Sequence, residues 1–327
     1  MSLDPRIRNK LLLPAFCAPM FHVSSPRLLI EACKAGIIAG TNPMNCSSVE
    51  QFEAEMLAIR AELDAWQAEH PDARIGPLAV NLVPKIGASE TQRYLDICRA
   101  ARVEIFITVA GDPTQLVPRV HDAGGLVWHD ATSIRFAEKA IRAGVDGIIA
   151  IGAGGGGHSG QVSHLALIPQ IRAMFDGTIV LAGAVSNGAA IRAAEVLGAD
   201  LAYLGTRFIA TQESAAPQEY KDLLVSQDID GLMYTPLTGA PANWLVESIR
   251  RAGLDPSALP VPKGHGTEHL PKEVIPWKNV WSAGQGIGQI HDIPSVAEVV
   301  RRLRREYVAA CGVPDMAQVA ALDACPV

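Results

Sequence analysis

The chain has 327 residues, of which 49% are hydrophobic and 19% charged, with a formal net charge of −6 at pH 7. That length carries one large core, or a large and a small one, and the mildly acidic balance argues against a nucleic-acid partner, which calls for a basic face. No run of 18 uncharged apolar residues occurs, so no membrane span is expected, and the polar start M-S-L-D-P-R-I-R-N-K lacks the apolar core of a secretion signal.

Over the first 225 or so residues, short apolar runs alternate with longer amphipathic ones. Strands are expected at 14–19, 37–39, 78–83, 105–109, 126–129, 147–151, 179–182 and 201–204, with helices at 26–35, 48–69, 91–101, 113–123, 133–143, 165–175 and 189–197. Each strand is uniformly apolar, as when both faces of a parallel sheet are covered. A phrase recurs at the helix-to-strand joints: A-G-G-L-V from Ala123, A-G-V-D-G-I-I from Ala143 and L-G-A-D-L-A-Y from Leu197. Its glycine ends a helix in the left-handed conformation, and a strand starts within about three residues. A succession of eight such strand–helix units predicts a (β/α)8 barrel of the TIM type over an open doubly wound sheet.

After Glu219 the rhythm changes. Residues 227–295 hold many of the prolines and read as short helices joined by turns, through T-P-L-T-G-A-P-A-N-W-L and D-P-S-A-L-P-V-P-K-G-H-G. The expected organisation is a barrel over 1–226, completed by a terminal helix at 296–310, with a small, mostly helical lid at 227–295. The charge run R-R-L-R-R reads as the solvated face of that last helix. Cys17, Cys33, Cys46, Cys98, Cys311 and Cys325 are scattered without C-x-x-C or zinc spacing, which fits a reducing cytoplasm.

Barrel sites lie where the strands end, so the residues just after each strand are the candidates. The sixth strand is followed by G-G-G-G-H-S-G, from Gly154 to Gly160. So many glycines are entropically expensive, and they suggest backbone lying against something planar or phosphorylated, with a flexible surface loop as the bland alternative. Gly155, Gly156 and Gly157 are cofactor candidates, and His158 is the catalytic candidate. His129, after the fifth strand, either reaches the mouth or is held by its neighbours Trp128 and Asp130; with Asn243 it is a substrate-contacting candidate. Gly183 after the seventh strand, and Gly205 with Thr206 after the eighth, sit where many barrels hold a phosphate on backbone N–H groups. Arg207 reads equally as a phosphate partner or an outward salt bridge. Ala18, Pro19 and Met20 close the first strand with backbone groups available to a ring edge. Asn81 is a carboxamide on an apolar strand, suited either to a ligand's carbonyl and N–H pair or to a neighbouring strand. Gln285 and Gly286, in S-A-G-Q-G-I-G-Q, return to the mouth or form a tight loop. No P-loop, strand-borne G-x-S-x-G or metal-ligand spacing is present, which suggests that a cofactor supplies the hard chemistry.

Taken together, A-P-M (18–20), G-G-G-G-H-S-G (154–160), L-A-G-A-V-S-N-G (181–188), L-G-A-D-L-A-Y-L-G-T-R-F-I-A-T-Q-E-S (197–214) and A-G-Q-G-I-G (283–288) resemble the nitronate monooxygenase family, formerly called 2-nitropropane dioxygenases, over nearly the whole length. The resemblance implies an FMN-binding barrel with a smaller helical lid. Ala18, Pro19, Met20 and Asn81 would meet the isoalloxazine, Gly183, Gly205 and Thr206 the phosphate, and Gln285 and Gly286 would lie near the cofactor. His158 would be the base or substrate-orienting group. The implied reaction oxidises an alkyl nitronate with dioxygen to a carbonyl compound and nitrite; a homodimer is one assembly it leaves open. Two features depart from the family pattern: Ala153 and Gly154 stand where many relatives carry an acidic residue, and Trp128, His129 and Asp130 replace small polar or basic residues. Both bear on the substrate and leave the flavin-binding residues intact. An NAD(P)H-dependent FMN reductase of quinones or enoyl thioesters, and a non-catalytic FMN-binding protein, are the competing readings.

Overall fold

The computed structural model describes residues 2–83, 87–264 and 266–312; Cys325 lies outside them. Eight parallel strands close into a barrel: β1 (Ala15–Cys17), β2 (Ile38–Thr41), β3 (Leu78–Leu82), β4 (Ile105–Thr108), β5 (Leu126–Ala131), β6 (Gly147–Ile151), β7 (Thr178–Ala182) and β8 (Leu201–Leu204), with β8 pairing back onto β1. The helices are α1 (Pro5–Arg8), α2 (Pro26–Lys34), α3 (Val49–Glu69), α4 (Ala88–Ala100), α5 (Val117–Asp122), α6 (Ile134–Arg142), α7 (His164–Arg172), α8 (Gly188–Val196), α9 (Thr206–Ile209), α10 (Gln218–Ser226), α11 (Val246–Arg251) and α12 (Val296–Cys311).

Local chemistry sets these limits. Ser25, Ser48, Ser133, Ser163, Asn187 and Ser295 each cap a helix, the side-chain oxygen accepting from an N–H of the first turn. Gly36, Gly124, Gly144 and Gly198 follow α2, α5, α6 and α8 with φ of 76°, 81°, 83° and 105°, the conformation the recurring phrase requires. The outward strand residues, among them Val80, Phe106, Val127, Ile148 and Ile179, pack under the helices. The inward set includes Phe16, Ile38, Ala79, Ile105, Ile107, Trp128, Ile149, Val180 and Leu201, and Leu3, Ile7 and Leu11 around α1 join it at the N-terminal end of the strands. The terminal helix α12 lies on α8 and α2, and Glu213 accepts from its first N–H, that of Val296, at 3.0 Å.

The segment 227–295 departs from the expected mostly helical lid. Among its described residues the α-helix is confined to α11, with single 3-10 turns at Ile229–Gly231 and Ile287–Gln289, and its regular core is an antiparallel hairpin of β9 (Leu232–Thr235) and β10 (Ala242–Leu245). Prolines remove N–H donors and push the preceding residue out of the helical region, so turns give way to extended chain here. Leu237, Trp244, Ile249, Leu270, Val274 and Val280 make one apolar cluster within the segment. A second joins Leu245, Trp281, Ala283 and Ile287 to Val23, Ile209, Tyr220 and Leu224 of the barrel side, with Tyr220 and Trp281 stacked at 5.0 Å. Among the described residues no helix is long and apolar enough to cross a membrane.

Candidate active site

A cavity of about 1040 Å³ opens at the C-terminal ends of the strands, at the upper end of the range for small-molecule sites. Its wall contains Ala18, Pro19, Met20, Asn81, His129, Gly155, Gly156, Gly157, His158, Gly183, Gly205, Thr206 and Gly286, so most of the residues singled out above come together.

The glycine loop borders the cavity through Gly155, Gly156 and Gly157 and also packs against other backbone. A Cβ on Gly154 would lie 2.7 Å from that of Ala184, and one on Gly156 would lie 2.8 Å from Gly284 N and 2.9 Å from Ala283 C. These glycines let the loop pack against other backbone, on the β7 side and on the 283–284 segment. Gly157 alone in the run takes a positive φ, 70°, and a Cβ there would meet open space. Asn243 holds the loop from the hairpin: its Nδ2 donates to Ala153 O at 3.1 Å and Gly155 O at 2.6 Å, so its amide is engaged with the loop. Gln285 acts through its backbone, N–H to Gly154 O at 3.0 Å, while its neighbours Gly284 and Gly286 reach the cavity wall.

His158 stands exposed at the rim. Its Nε2 is 3.1 Å from Thr238 Oγ1, and its ring sits edge-on to Trp277 at 5.2 Å. Neither partner was evident from the sequence, because both come from the 227–295 segment. At β1 the Ala18 N–H donates to Leu204 O at 3.0 Å and the Met20 N–H to Ser24 Oγ at 2.9 Å. These N–H groups are therefore not available to a ring edge, and only carbonyls and side chains remain for that role. Thr206 Oγ1 accepts from Gly284 N–H at 2.9 Å, which leaves its O–H to donate. Arg207 is buried, donates to the carbonyls of Ala210 and Asp292 and faces the Asp292 carboxylate at 3.7 Å; the salt-bridge reading holds, though the group points inward.

His129 lies on the outward face of β5. Its Nδ1 is 2.7 Å from Thr108 Oγ1, and burial pushes its pKa down to about 4, so at neutral pH it is an uncharged member of the wall. The inward neighbours of the cavity are instead Asp130 of β5, expected above only as a neighbour holding His129, and Tyr203 of β8, which the sequence did not mark. Asn81 Oδ1 and Asp130 Oδ1 are buried without hydrogen-bond partners, a costly state unless a ligand completes them. Burial raises the Asp130 carboxyl to about 7. Two unpaired polar atoms on a cavity with small-residue walls fit a planar heterocycle that offers both donors and acceptors. Among the described residues no group of His, Cys, Asp and Glu could hold a metal ion.

A family model described as nitronate monooxygenase matches residues 49–306. A nitronate monooxygenase of Neurospora crassa is 25% identical, with 93% of this chain and 91% of that protein covered. An oxo-octahydro-indene-carboxyl-CoA dehydrogenase of Rhodococcus jostii is 29% identical over 74% of this chain and 67% of its own length. The solved structure of a nitroalkane oxidase from Streptomyces ansochromogenes superposes with a TM-score of 0.76 at 23% identity, covering 94% of this chain and 99% of that one.

Proposed function

The chain belongs to the nitronate monooxygenase family of flavin-dependent oxidoreductases, and from that premise we propose that the cavity holds FMN and that the protein oxidises alkyl nitronates with dioxygen to a carbonyl compound and nitrite. The observation that carries the cofactor is the pair of unpaired polar atoms on the cavity wall, Asn81 Oδ1 and Asp130 Oδ1. Asn81 pairs with the ring's carbonyl and N–H edge. Gly183, Gly205 and Thr206, which line the same cavity, would hold the phosphate. When bound, the flavin supplies the electron transfer, and the chain's residues position the substrate and handle protons.

His158, held through Thr238 and Trp277, takes the α-proton of a neutral nitroalkane and orients the nitronate that results. His158 of the glycine loop and Trp277, from the stretch beyond α11, both line the cavity mouth, and Thr238 sits in the turn of the hairpin. Replacing His158 with Asn should slow a neutral nitroalkane roughly 10²–10⁴-fold, the usual contribution of a general base, and a preformed nitronate far less. Equal losses on both would remove His158 as the base.

A second reading, reduction or dehydrogenation of a thioester or use of NAD(P)H, is favoured by one feature. The cavity runs outward past β5 to Phe136, Lys139 and Arg142 of α6, an aromatic and cationic flank suited to a nucleotide. Anaerobic mixing separates the two: bleaching of the bound flavin by a nitronate but not by NADH or NADPH supports the first, and bleaching by the nicotinamides alone overturns it.

A further inference from the structure

Asp130 is the polar group of the cavity to which the mechanism above gives no chemistry of its own. In the parallel register it pairs with Ile149 of β6, as Trp128 pairs with Gly147, and Ile149 and Trp128 both belong to the inward apolar set. Its carboxyl therefore points into the barrel, borders the cavity beside Asn81 and Tyr203, and carries an oxygen with no partner. Desolvation is the cause of its raised pKa, and no cation offsets it. The titratable group facing it is Tyr203 of β8, whose phenol is held protonated by burial first and by Asp130 second. β6 presents Ile149 to it. On the other face of β5, His129 is faced by Asp112, and Lys139 and Arg142 line the outer end of the cavity on α6.

We propose that Asp130 faces the ring of the bound flavin and takes up a proton as the ring gains negative charge, so that reduction of this protein's flavin is coupled to one proton more than the ring itself binds. The proposal rests on the flavin reading of the cavity. For each electron pair delivered by an external reductant such as dithionite, the Asp130 carboxylate binds one proton from solvent and becomes a carboxylic acid; no bond of the chain breaks. Where the carboxyl is already protonated it donates a hydrogen bond to the ring and no further proton is taken up. An arginine in its place would keep its charge throughout and add no proton to the balance.

The test is the midpoint potential of the flavin-loaded protein, measured between pH 7.5 and 9 against a reference dye with dithionite as reductant. The wild type should fall by about 59 mV per pH unit, two protons for two electrons, where one proton gives about 30 mV. Asp130→Asn and Asp130→Ser should follow the shallower line, and Tyr203→Phe the steeper one. A shallow wild type, or a steep line kept in both Asp130 variants, overturns the proposal. The visible spectrum taken first separates the two levels: a protein that takes up no flavin removes the cofactor reading and this inference with it. A flavin-loaded protein with the shallow slope removes the inference alone.

Discussion

In the lower half of the barrel, Phe16, Ala79, Trp128 and Leu201 fill the interior with apolar bulk, joined by Leu3, Ile7 and Leu11 around α1. Two residues further along β3, β5 and β8, the same inward positions hold Asn81, Asp130 and Tyr203. Backbone and strands are shared, yet one layer is apolar bulk with a single partnerless N–H, that of Trp128 Nε1, and the other keeps unpaired oxygens on a cavity. A polar layer of that kind lowers the stability of the protein alone and is recovered only when a ligand supplies the missing partners. The contrast thus marks where folding ends as the purpose of a side chain and binding begins.

The largest effect expected from disturbing this division is in the lower layer. Phe16 is fully buried and edge-on to Tyr203 at 4.7 Å and Trp128 at 5.9 Å. Phe16→Ala should lower unfolding free energy by about 3–5 kcal/mol in urea; a loss under about 1 kcal/mol would mean that the lower layer is not close-packed.

The upper layer should respond to pH in the opposite sense from an ordinary carboxylate. The Asp130 carboxyl stands at about 7 in the folded chain against an ordinary 3.8, so the folded state binds the proton more tightly. Its contribution is fully present below about pH 4 and is lost as pH rises from about 4 to about 7. His129, pushed down to about 4 from 6.5, acts the other way and loses stability as pH falls through that window. The readable quantity is therefore the difference between flavin-free wild type and Asp130→Asn in urea, which should grow in favour of the variant from pH 4 to pH 7. A difference that stays flat would mean that Asp130 is ionised in the fold at all these values.

The wall above the two layers offers a smaller contrast. Gly156→Ala sets a Cβ against the backbone of Ala283 and Gly284 and should part the loop from that segment, weakening flavin retention in gel filtration. Gly157→Ala meets open space and carries only the penalty of its positive φ, about 1–2 kcal/mol. Equal losses of flavin in the two variants would contradict this account of the loop. Smallest of all is His129→Ala, which removes the bond to Thr108 and should cost about 1 kcal/mol while leaving the flavin potential unchanged.

Much of this architecture is legible along the chain. The apolar runs at 147–151 and 201–204 coincide with β6 and β8, and the glycines after α5, α6 and α8 end their helices as the repeated phrase requires. Which residue of W-H-D faces the cavity is not legible. Aligned glycine to glycine, the phrase puts His129 level with Ile149 and Tyr203, both inward. The strand instead turns Trp128 and Asp130 inward and His129 outward. A one-residue difference in how the chain leaves the helix reverses every side chain of the following strand.

The sequence alone determined the barrel's strand count, the glycine-terminated helix ends within it and the wall positions of the glycine loop and His158, because apolar period, caps and left-handed glycines are local properties. Tertiary structure decided the rest. Strand register turned Asp130 and Asn81 to the cavity, backbone packing explained Gly154 and Gly156, and Thr238 and Trp277 reached His158 from about 80 and 120 residues away. Those outcomes depend on which atoms meet across the closed barrel, and no local pattern carries that information.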